Sequence, residues 1–78
     1  MQSFEELISI VKKLRGENGC AWDKVQTFDS LIPCFLEESY EVVDGISKRD
    51  YKNIKEELGD VLLHIVFFSE IANDENKF

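Results

Sequence analysis

The feature that most constrains the fold is a long helical segment in the second half of the chain. Asp50 is a predicted N-cap, and no helix-breaking residue other than Gly59 follows it before Ala72 or Asn73. About 22 residues at 1.5 Å each give a helix roughly 33 Å long. Its apolar side chains cover far more than one stripe, and they are Tyr51, Ile54, Leu58, Val61, Leu62, Leu63, Ile65, Val66, Phe67, Phe68 and Ile71. A helix that is apolar on nearly all sides has to be surrounded by other protein.

A first helix is predicted at the start of the chain. Ser3 as N-cap and Glu6 three residues later form a capping box. Apolar residues then follow at the spacing of one helical face, namely Phe4, Leu7, Ile8, Val11 and Leu14. Arg15 and Gly16 end this helix. Residues 16–29 lack a sustained period and contain two glycines, so we expect an ordered loop there.

A second helix is predicted from an N-cap at Ser30 to about Ser47, with Pro33 inside its first turn. Two short helices cannot surround the long one, and a chain of 78 residues buries only about 60% of its unfolded surface. We therefore expect one all-α domain over residues 1–78, with three main helices per chain in a helical bundle that oligomerisation completes.

Charge and composition exclude several classes of function. Sixteen Asp and Glu against nine Lys and Arg give a net charge of −7, which repels phosphate backbones, so no nucleic-acid polymer is expected as a partner. The longest apolar run, Val61 to Phe68, is too short to cross a membrane. Glu5 and Glu6 stand where a signal peptide needs basic residues. Cys20 and Cys34 fit neither a disulfide framework nor a zinc site, so we expect reduced thiols and a cytoplasmic protein.

Two pairs of acidic residues interrupt apolar helical faces. Glu38 shares its face with Cys34, Phe35, Val42 and Gly45, and Glu41 follows one turn later. Glu57 and Asp60 repeat this spacing on the long helix. Buried carboxylates are costly unless they are paired or bind a metal, and oxygen ligands suit Mg²⁺ or Mn²⁺. Metal binding, ion pairs to lysines of a neighbouring chain and an ordinary acidic surface remain alternatives at this point.

Three other features allow both a structural and a functional interpretation. His64 is either a core histidine hydrogen-bonded to a carboxylate or a proton-transfer group, and its spacing is wrong for a di-iron site. In the loop, Trp22 offers a stacking platform, Lys24 a charge for a phosphate and Gln26 a hydrogen-bonding amide. Alternatively, Trp22 closes the end of the bundle and the polar residues cap turns. A basic cluster could contact phosphate or form a solvated turn, and it comprises Lys48, Arg49, Lys52 and Lys55.

Taken together, these motifs resemble the MazG-type nucleoside triphosphate pyrophosphohydrolase domain. The resemblance runs from about Leu7 to Ala72. It rests on Glu37-Glu38-x-x-Glu41 followed by Glu57-x-x-Asp60, with LRGENGCAWDKVQTF before them and VLLHIVFF after them. It implies an all-α fold, assembly as homodimers or homotetramers, and Mg²⁺-dependent hydrolysis of (deoxy)nucleoside triphosphates to the monophosphate and pyrophosphate.

The resemblance also assigns roles to residues. The implied metal ligands are Glu38, Glu41, Glu57 and Asp60, with Mn²⁺ as a substitute for Mg²⁺, while Glu37 and Glu56 lie close enough to share in metal or water binding. Glu37 or Glu38 is expected to orient the water that attacks the α-phosphorus. The predicted substrate-binding residues are Trp22, Lys24, Gln26, Lys52 and Glu56. A non-catalytic acidic helical assembly and a nucleotide-binding module are the alternatives.

The chain departs from the family pattern in two ways. Cys20-Ala21-Trp22-Asp23 stands where the family usually has Cys-Pro-Trp-Asp. Relatives normally continue with further helices beyond the position of Phe78, which leaves open a C-terminal truncation.

Overall fold

The computed structural model describes residues 3–78 and contains only helices and turns within them. Its helices are α1 (Phe4–Leu14), α2 (Ala21–Val25), α3 (Phe28–Lys48) and α4 (Tyr51–Asp74). The all-α class and the three main helices are therefore confirmed. None of the helices in this part of the chain combines the length and apolar character that a membrane-crossing helix requires.

Helix α1 begins where its sequence predicts. The Ser3 side chain accepts a hydrogen bond from the Glu6 backbone N–H at 3.2 Å. Leu7 and Val11 are one turn apart on the same face, and both are buried. This face packs against α4, so α1 covers one end of the long helix.

Arg15, which caps the C-terminal end of α1, holds the following loop in place. Its guanidinium donates to the carbonyls of Asp23 at 2.8 Å and Gln26 at 3.0 Å, and to the Asp74 carboxylate at 3.0 Å. The same group lies 5.6 Å from the centre of the Phe67 ring. The loop is thus ordered as expected, but it contains the five-residue helix α2, which was not predicted.

Helix α3 begins earlier than predicted. Its N-cap is Thr27, whose hydroxyl accepts from the Ser30 N–H at 3.1 Å, while the Ser30 hydroxyl accepts from the Thr27 N–H at 2.8 Å. Ser30 is the third helical residue of this capping box, so its assignment as N-cap is wrong. The earlier start also moves Pro33 out of the first turn. The helix ends at Lys48, one residue from the predicted end.

Helices α3 and α4 form an antiparallel hairpin with a two-residue connection. Arg49 has a positive φ of 54°, and the Asp50 N–H donates to the Gly45 carbonyl at 2.9 Å. Asp50 is the N-cap of α4, as predicted, and its carboxylate accepts from the Asn53 N–H at 3.3 Å. The short connection forces the two helices to lie side by side.

The buried core lies at one end of this hairpin, where α1 crosses α4. Its members are Leu7, Val11, Leu31, Val66, Phe67 and Ile71. Elsewhere the hairpin exposes two apolar stripes, Ile32, Leu36, Tyr40 and Val43 on α3, and Tyr51, Leu58, Leu62 and Ile65 on α4.

On each helix, the residues of the stripe come one position later in the sequence than the residues that face the other helix. In an antiparallel pair this rotation brings both stripes to the same side, which we call the uncovered face. As expected, the helices of a single chain do not cover all of the apolar surface of α3 and α4.

Candidate metal and nucleotide site

Three carboxylates of the hairpin converge near its middle. Glu38 and Glu41 lie one turn apart on α3, and Glu57 faces them from α4. Each offers an oxygen within 4.8 Å of the others. Glu38 and Glu57 are half-buried, whereas Glu41 is exposed. Periodicity on each helix predicts that these acids point inward, which is correct for Glu38 and Glu57 but wrong for Glu41, which is exposed. The antiparallel pairing brings the three together.

Two of the carboxylate oxygens in this acidic cluster lack a partner. Oε2 of Glu38 and Oε2 of Glu57 are both buried, and neither accepts a hydrogen bond from a described residue. The ion pairs within residues 3–78 involve other acids, namely Glu70, Asp74 and Asp44. A buried carboxylate oxygen without a donor is costly. The cluster therefore contains buried carboxylate oxygens that no positive group among the described residues neutralises, and a bound cation would stabilise them.

The mutual proximity of the acids raises the pKa of all three. For Glu41, the adjacent carboxyl of Glu57 raises the pKa most, followed by burial and by the negative charge of Glu57. For Glu38, the adjacent carboxyl of Glu57 lowers the pKa, but burial and the charges of Glu41 and Asp60 outweigh it. For Glu57, the adjacent carboxyl of Glu41 lowers the pKa, but the carboxyl of Glu38 together with burial outweighs it. Ionising the whole cluster is thus unfavourable without a cation.

The remaining predicted acids lie at the edge of the cluster. Asp60 is exposed and lies outside the group of three converging oxygens, although its charge raises the pKa of Glu38 and Glu57. Glu37 is exposed on α3 and its charge acts on Glu41. Glu56 is exposed beside Glu57. Their roles stay predictions.

The residues fit a hard divalent cation. Carboxylate oxygens from two helices lie close enough to share one ion, and two of these oxygens are buried and unpaired. Mg²⁺ and Mn²⁺ prefer such all-oxygen ligands. Glu38, Glu41 and Glu57 could hold the ion, and the predicted fourth ligand Asp60 lies one turn after Glu57.

Two cavities flank the acidic cluster. One, of about 200 Å³, we call the aromatic cavity, and it is lined by Trp22, Asp23, Leu31, Cys34, Glu38, Leu63, His64 and Phe67. The other, of about 240 Å³, we call the polar cavity, and it is lined by Glu41, Asp44, Gly45, Lys48, Asp50, Asn53 and Glu57. The acids of the cluster divide between the two cavities, since Glu38 lines the aromatic cavity while Glu41 and Glu57 line the polar cavity.

The predicted loop residues separate into two groups. Trp22 is exposed and lines the aromatic cavity, next to Glu38. Lys24 instead donates to the Glu17 carbonyl at 2.7 Å, and Gln26 donates to the Trp22 carbonyl at 3.0 Å. Both also line a third cavity, which neither contains nor borders the acidic cluster. Of these three loop residues, Trp22 alone lines a cavity that also contains an acid of the cluster.

The basic residues of the hairpin turn also separate. Lys48 lines the polar cavity and pairs with Asp44 at 3.0 Å, whereas Lys52 is exposed on the first turn of α4. Asn53 lines the same cavity as Lys48, and sequence reasoning missed it. Its position one turn before Glu57, on the same helical face, was the available signal.

His64 is held by its own helix. Its Nδ1 lies 3.1 Å from the backbone carbonyl of Asp60, where a carboxylate partner was expected. The imidazole is half-buried and packs at 5.9 Å from Phe35 and 6.3 Å from Phe68, measured between ring centres. It lines the aromatic cavity together with Trp22.

Comparisons with known proteins bear on this arrangement. The model of the MazG nucleotide pyrophosphohydrolase domain matches residues 26–78, which include both acidic motifs. The chain is 49% identical over 75 residues to the nucleoside triphosphate pyrophosphohydrolase/pyrophosphatase MazG of Thermotoga maritima, covering 96% of this chain and 29% of that protein. It is 44% identical over 79 residues to a nucleoside triphosphate pyrophosphohydrolase of Escherichia coli K12, covering 100% and 30%.

A third relative, the uncharacterized protein YabN of Bacillus subtilis, is 45% identical over 75 residues, covering 96% of this chain and 15% of that protein. The chain thus spans less than a third of the length of each of these relatives. The domain match covers more than half of this chain and contains the acidic cluster, so the chain belongs to the MazG nucleotide pyrophosphohydrolase domain family.

Proposed function

We propose that this chain hydrolyses (deoxy)nucleoside triphosphates to the monophosphate and pyrophosphate in a Mg²⁺-dependent reaction. The observation that carries the proposal is the convergence of Glu38, Glu41 and Glu57, with two buried oxygens that lack a donor. The names of the relatives from Thermotoga maritima and Escherichia coli K12 support the reaction class. The overall negative charge favours a small, metal-bound nucleotide over a nucleic-acid polymer.

The acidic cluster would hold the ion between the two helices. Glu38, Glu41 and Glu57 supply the nearest oxygens, with Asp60 as the predicted fourth ligand. Bound Mg²⁺ neutralises charge on phosphoryl oxygens and lowers the pKa of a bound water. Glu37 or Glu38 would accept a hydrogen bond from the attacking water and orient it. Mn²⁺, with the same ligand preference, would substitute.

The two cavities suggest how the substrate lies. The aromatic cavity offers Trp22 and Phe67 to a nucleobase, while the polar cavity offers Lys48 and Asn53 to the outer phosphates. In this orientation the α-phosphorus lies beside the acids. Attack there releases pyrophosphate, whereas attack on the γ-phosphorus would release orthophosphate.

Four of the predicted substrate-binding residues do not line either of these two cavities, so their roles need a different explanation. Lys24 and Gln26 would act by fixing the loop that carries Trp22, since both donate to loop carbonyls. Lys52 and Glu56 would meet the substrate from the exposed side of α4. These assignments, like a cytoplasmic location, remain predictions.

The uncovered face supports assembly of at least two copies. Its eight large side chains are exposed in the single chain, and Tyr40 and Tyr51 are 75% and 73% exposed. Apolar patches of this kind mark interaction surfaces. A homodimer would bury the face and complete the bundle, and a homotetramer would add a second interface.

Hydrolysis in ¹⁸O-labelled water tests the proposal. With Mg²⁺ present, the label should enter the nucleoside monophosphate and not the pyrophosphate. Glu38→Gln and Glu57→Gln should each lower kcat by orders of magnitude and keep helical circular dichroism. Glu17→Gln removes an acid from the loop, far from the cluster in the chain, and should retain activity. Label in orthophosphate, or full activity in both cluster variants, would refute the assignment, and binding without turnover would favour a nucleotide-binding module.

A further inference from the structure

His64 lines the aromatic cavity and has one ring nitrogen with no hydrogen-bond partner among the described residues. A backbone carbonyl can only accept a hydrogen bond, so the 3.1 Å contact between Nδ1 and the Asp60 carbonyl requires the hydrogen to be on Nδ1. In the neutral ring, Nε2 is then an acceptor. Among the hydrogen bonds of residues 3–78, none involves Nε2 of His64. The imidazole that lines the cavity therefore carries a hydrogen-bond acceptor without a partner.

The imidazole is also fixed in orientation. Phe35 packs against it with a ring separation of 5.9 Å, and Phe68 with one of 6.3 Å. These two phenyl rings pack edge to face on each other at 5.5 Å, and Phe68 stacks further on Phe28 at 6.2 Å. An acceptor held by an aromatic cluster and by its own helix loses little freedom when a ligand binds.

The other polar groups of the aromatic cavity have the same preference. Asp23 and Glu38 contribute carboxylates, which accept hydrogen bonds when ionised, and Trp22 contributes the main donor, its indole N–H. Apart from the thiol of Cys34, which is only a weak donor, the rest of the lining is apolar. Binding beside His64 is thus favoured for a ligand group that donates a hydrogen bond and disfavoured for a group that can only accept one.

We propose that His64 is a specificity-determining residue that accepts a hydrogen bond at Nε2 from the exocyclic amino group of the nucleobase. The inference rests on the proposed function, because it needs the base to occupy the aromatic cavity. The favoured substrates are triphosphates of cytosine and adenine, which carry an amino group. Uracil and hypoxanthine carry an oxo group at the same position, so their lone pairs would face that of Nε2 and leave both acceptors unpaired.

The cytidine and uridine triphosphates form a matched test pair. The native protein should show a kcat/KM about 10-fold higher for the amino member, the discrimination that one neutral hydrogen bond supplies. Adenosine and inosine triphosphates should repeat the pattern. His64→Leu should lose the preference by raising KM for the cytidine substrate. His64→Gln, whose amide both donates and accepts, should use both members about equally.

Ser69→Ala is the matched control. Ser69 lies on the same helix and donates to its own backbone, at the Ile65 carbonyl, but it does not line the cavity. This variant should keep the native preference. Circular dichroism of each variant separates loss of folding from loss of recognition.

Calorimetric binding of the α,β-methylene analogues separates the inference from the proposed function. A protein that binds the cytidine analogue more tightly through His64 but turns over nothing would support the inference and refute the hydrolase. Equal use of both members by the native protein, a preference for uridine, or an unchanged preference in His64→Leu would overturn the inference while leaving the hydrolase intact. Failure to bind or hydrolyse any of these nucleotides would overturn both.

Discussion

Replacement of Glu57 by Gln should change stability in opposite directions with and without metal. Gln keeps the shape of the side chain and removes one negative charge from the acidic cluster. Glu57 lies opposite both Glu38 and Glu41, so this single change relieves two repulsive contacts at once. It also removes one of the proposed metal ligands.

Without metal, Glu57→Gln should melt at a higher temperature than the native protein at pH 7. The pKa of each cluster acid is raised above its ordinary value of 4.5 in the folded state. A raised pKa means that stability is fully present below the ordinary value and is lost as the pH rises through the folded-state value. Above these folded-state values the native cluster has lost this stability, whereas Glu57→Gln, which has one acid fewer, loses less of it.

With metal, the order should reverse. An ion at 100 times its dissociation constant stabilises the folded state by about 2.7 kcal/mol. For a domain of this size, about 1 kcal/mol corresponds to roughly 4–8 °C in Tm, so the native protein should gain on the order of 10–20 °C. Glu57→Gln should gain only a small part of this, because it lacks one buried ligand.

Thermal unfolding followed by circular dichroism measures both effects, first with EDTA and then with excess Mg²⁺ or Mn²⁺. Protein concentration must be equal throughout, since assembly also shifts Tm. Glu17→Gln removes a loop acid and should show the native response to metal. An equal metal response in Glu57→Gln and the native protein, or a lower Tm of the variant in EDTA, would refute the assignment of the cluster as a cation site.

Three further predictions follow from other parts of the molecule. The stabilisation by Mg²⁺ should diminish as the pH falls from 7 toward 4.5, because protons compete for carboxylates whose pKa is raised, and titration calorimetry at several pH values measures this. Arg15→Lys should lower the free energy of unfolding in urea by about 2 kcal/mol, since Lys cannot make the three hydrogen bonds of the guanidinium. Leu62→Lys should shift light-scattering mass toward the monomer, whereas Val25→Lys, exposed outside the uncovered face, should not.

Local interactions made much of the fold predictable. Ser3 and Asp50 cap their helices through hydrogen bonds to residues three positions later, so the sequence alone contains both partners. The start of α3 was harder, because Thr27 and Ser30 bond each other reciprocally and both residue types cap helices. Helix α2 has only five residues, too few for a period to be visible.

The candidate site, like the fold, is predictable from the sequence only in part. Helical spacing predicts that Glu38 and Glu57 point inward. The polar cavity instead depends on how α3 and α4 pack against each other near the turn, and the spacing of residues on one helix contains no information about that packing. Residue type predicts Lys24 and Gln26 as substrate contacts, and these roles stay predictions. One donor of each is bound to a loop carbonyl, a tertiary contact that residue type does not predict.

The two helical glycines offer a test of how closely the hairpin packs. A Cβ added at Gly45 would lie 3.2 Å from Cγ1 of Ile54 and 3.5 Å from its backbone N, while one at Gly59 meets nothing within 4 Å. Ala stabilises a helix by about 1 kcal/mol relative to Gly, so Gly59→Ala should raise Tm by roughly 4–8 °C. Gly45→Ala should gain less or lose stability, because Ile54 must move away at the point where α3 approaches α4. Equal gains at both positions would contradict this close approach, and a loss at Gly59 that disappears on dilution would mean that a second copy packs there.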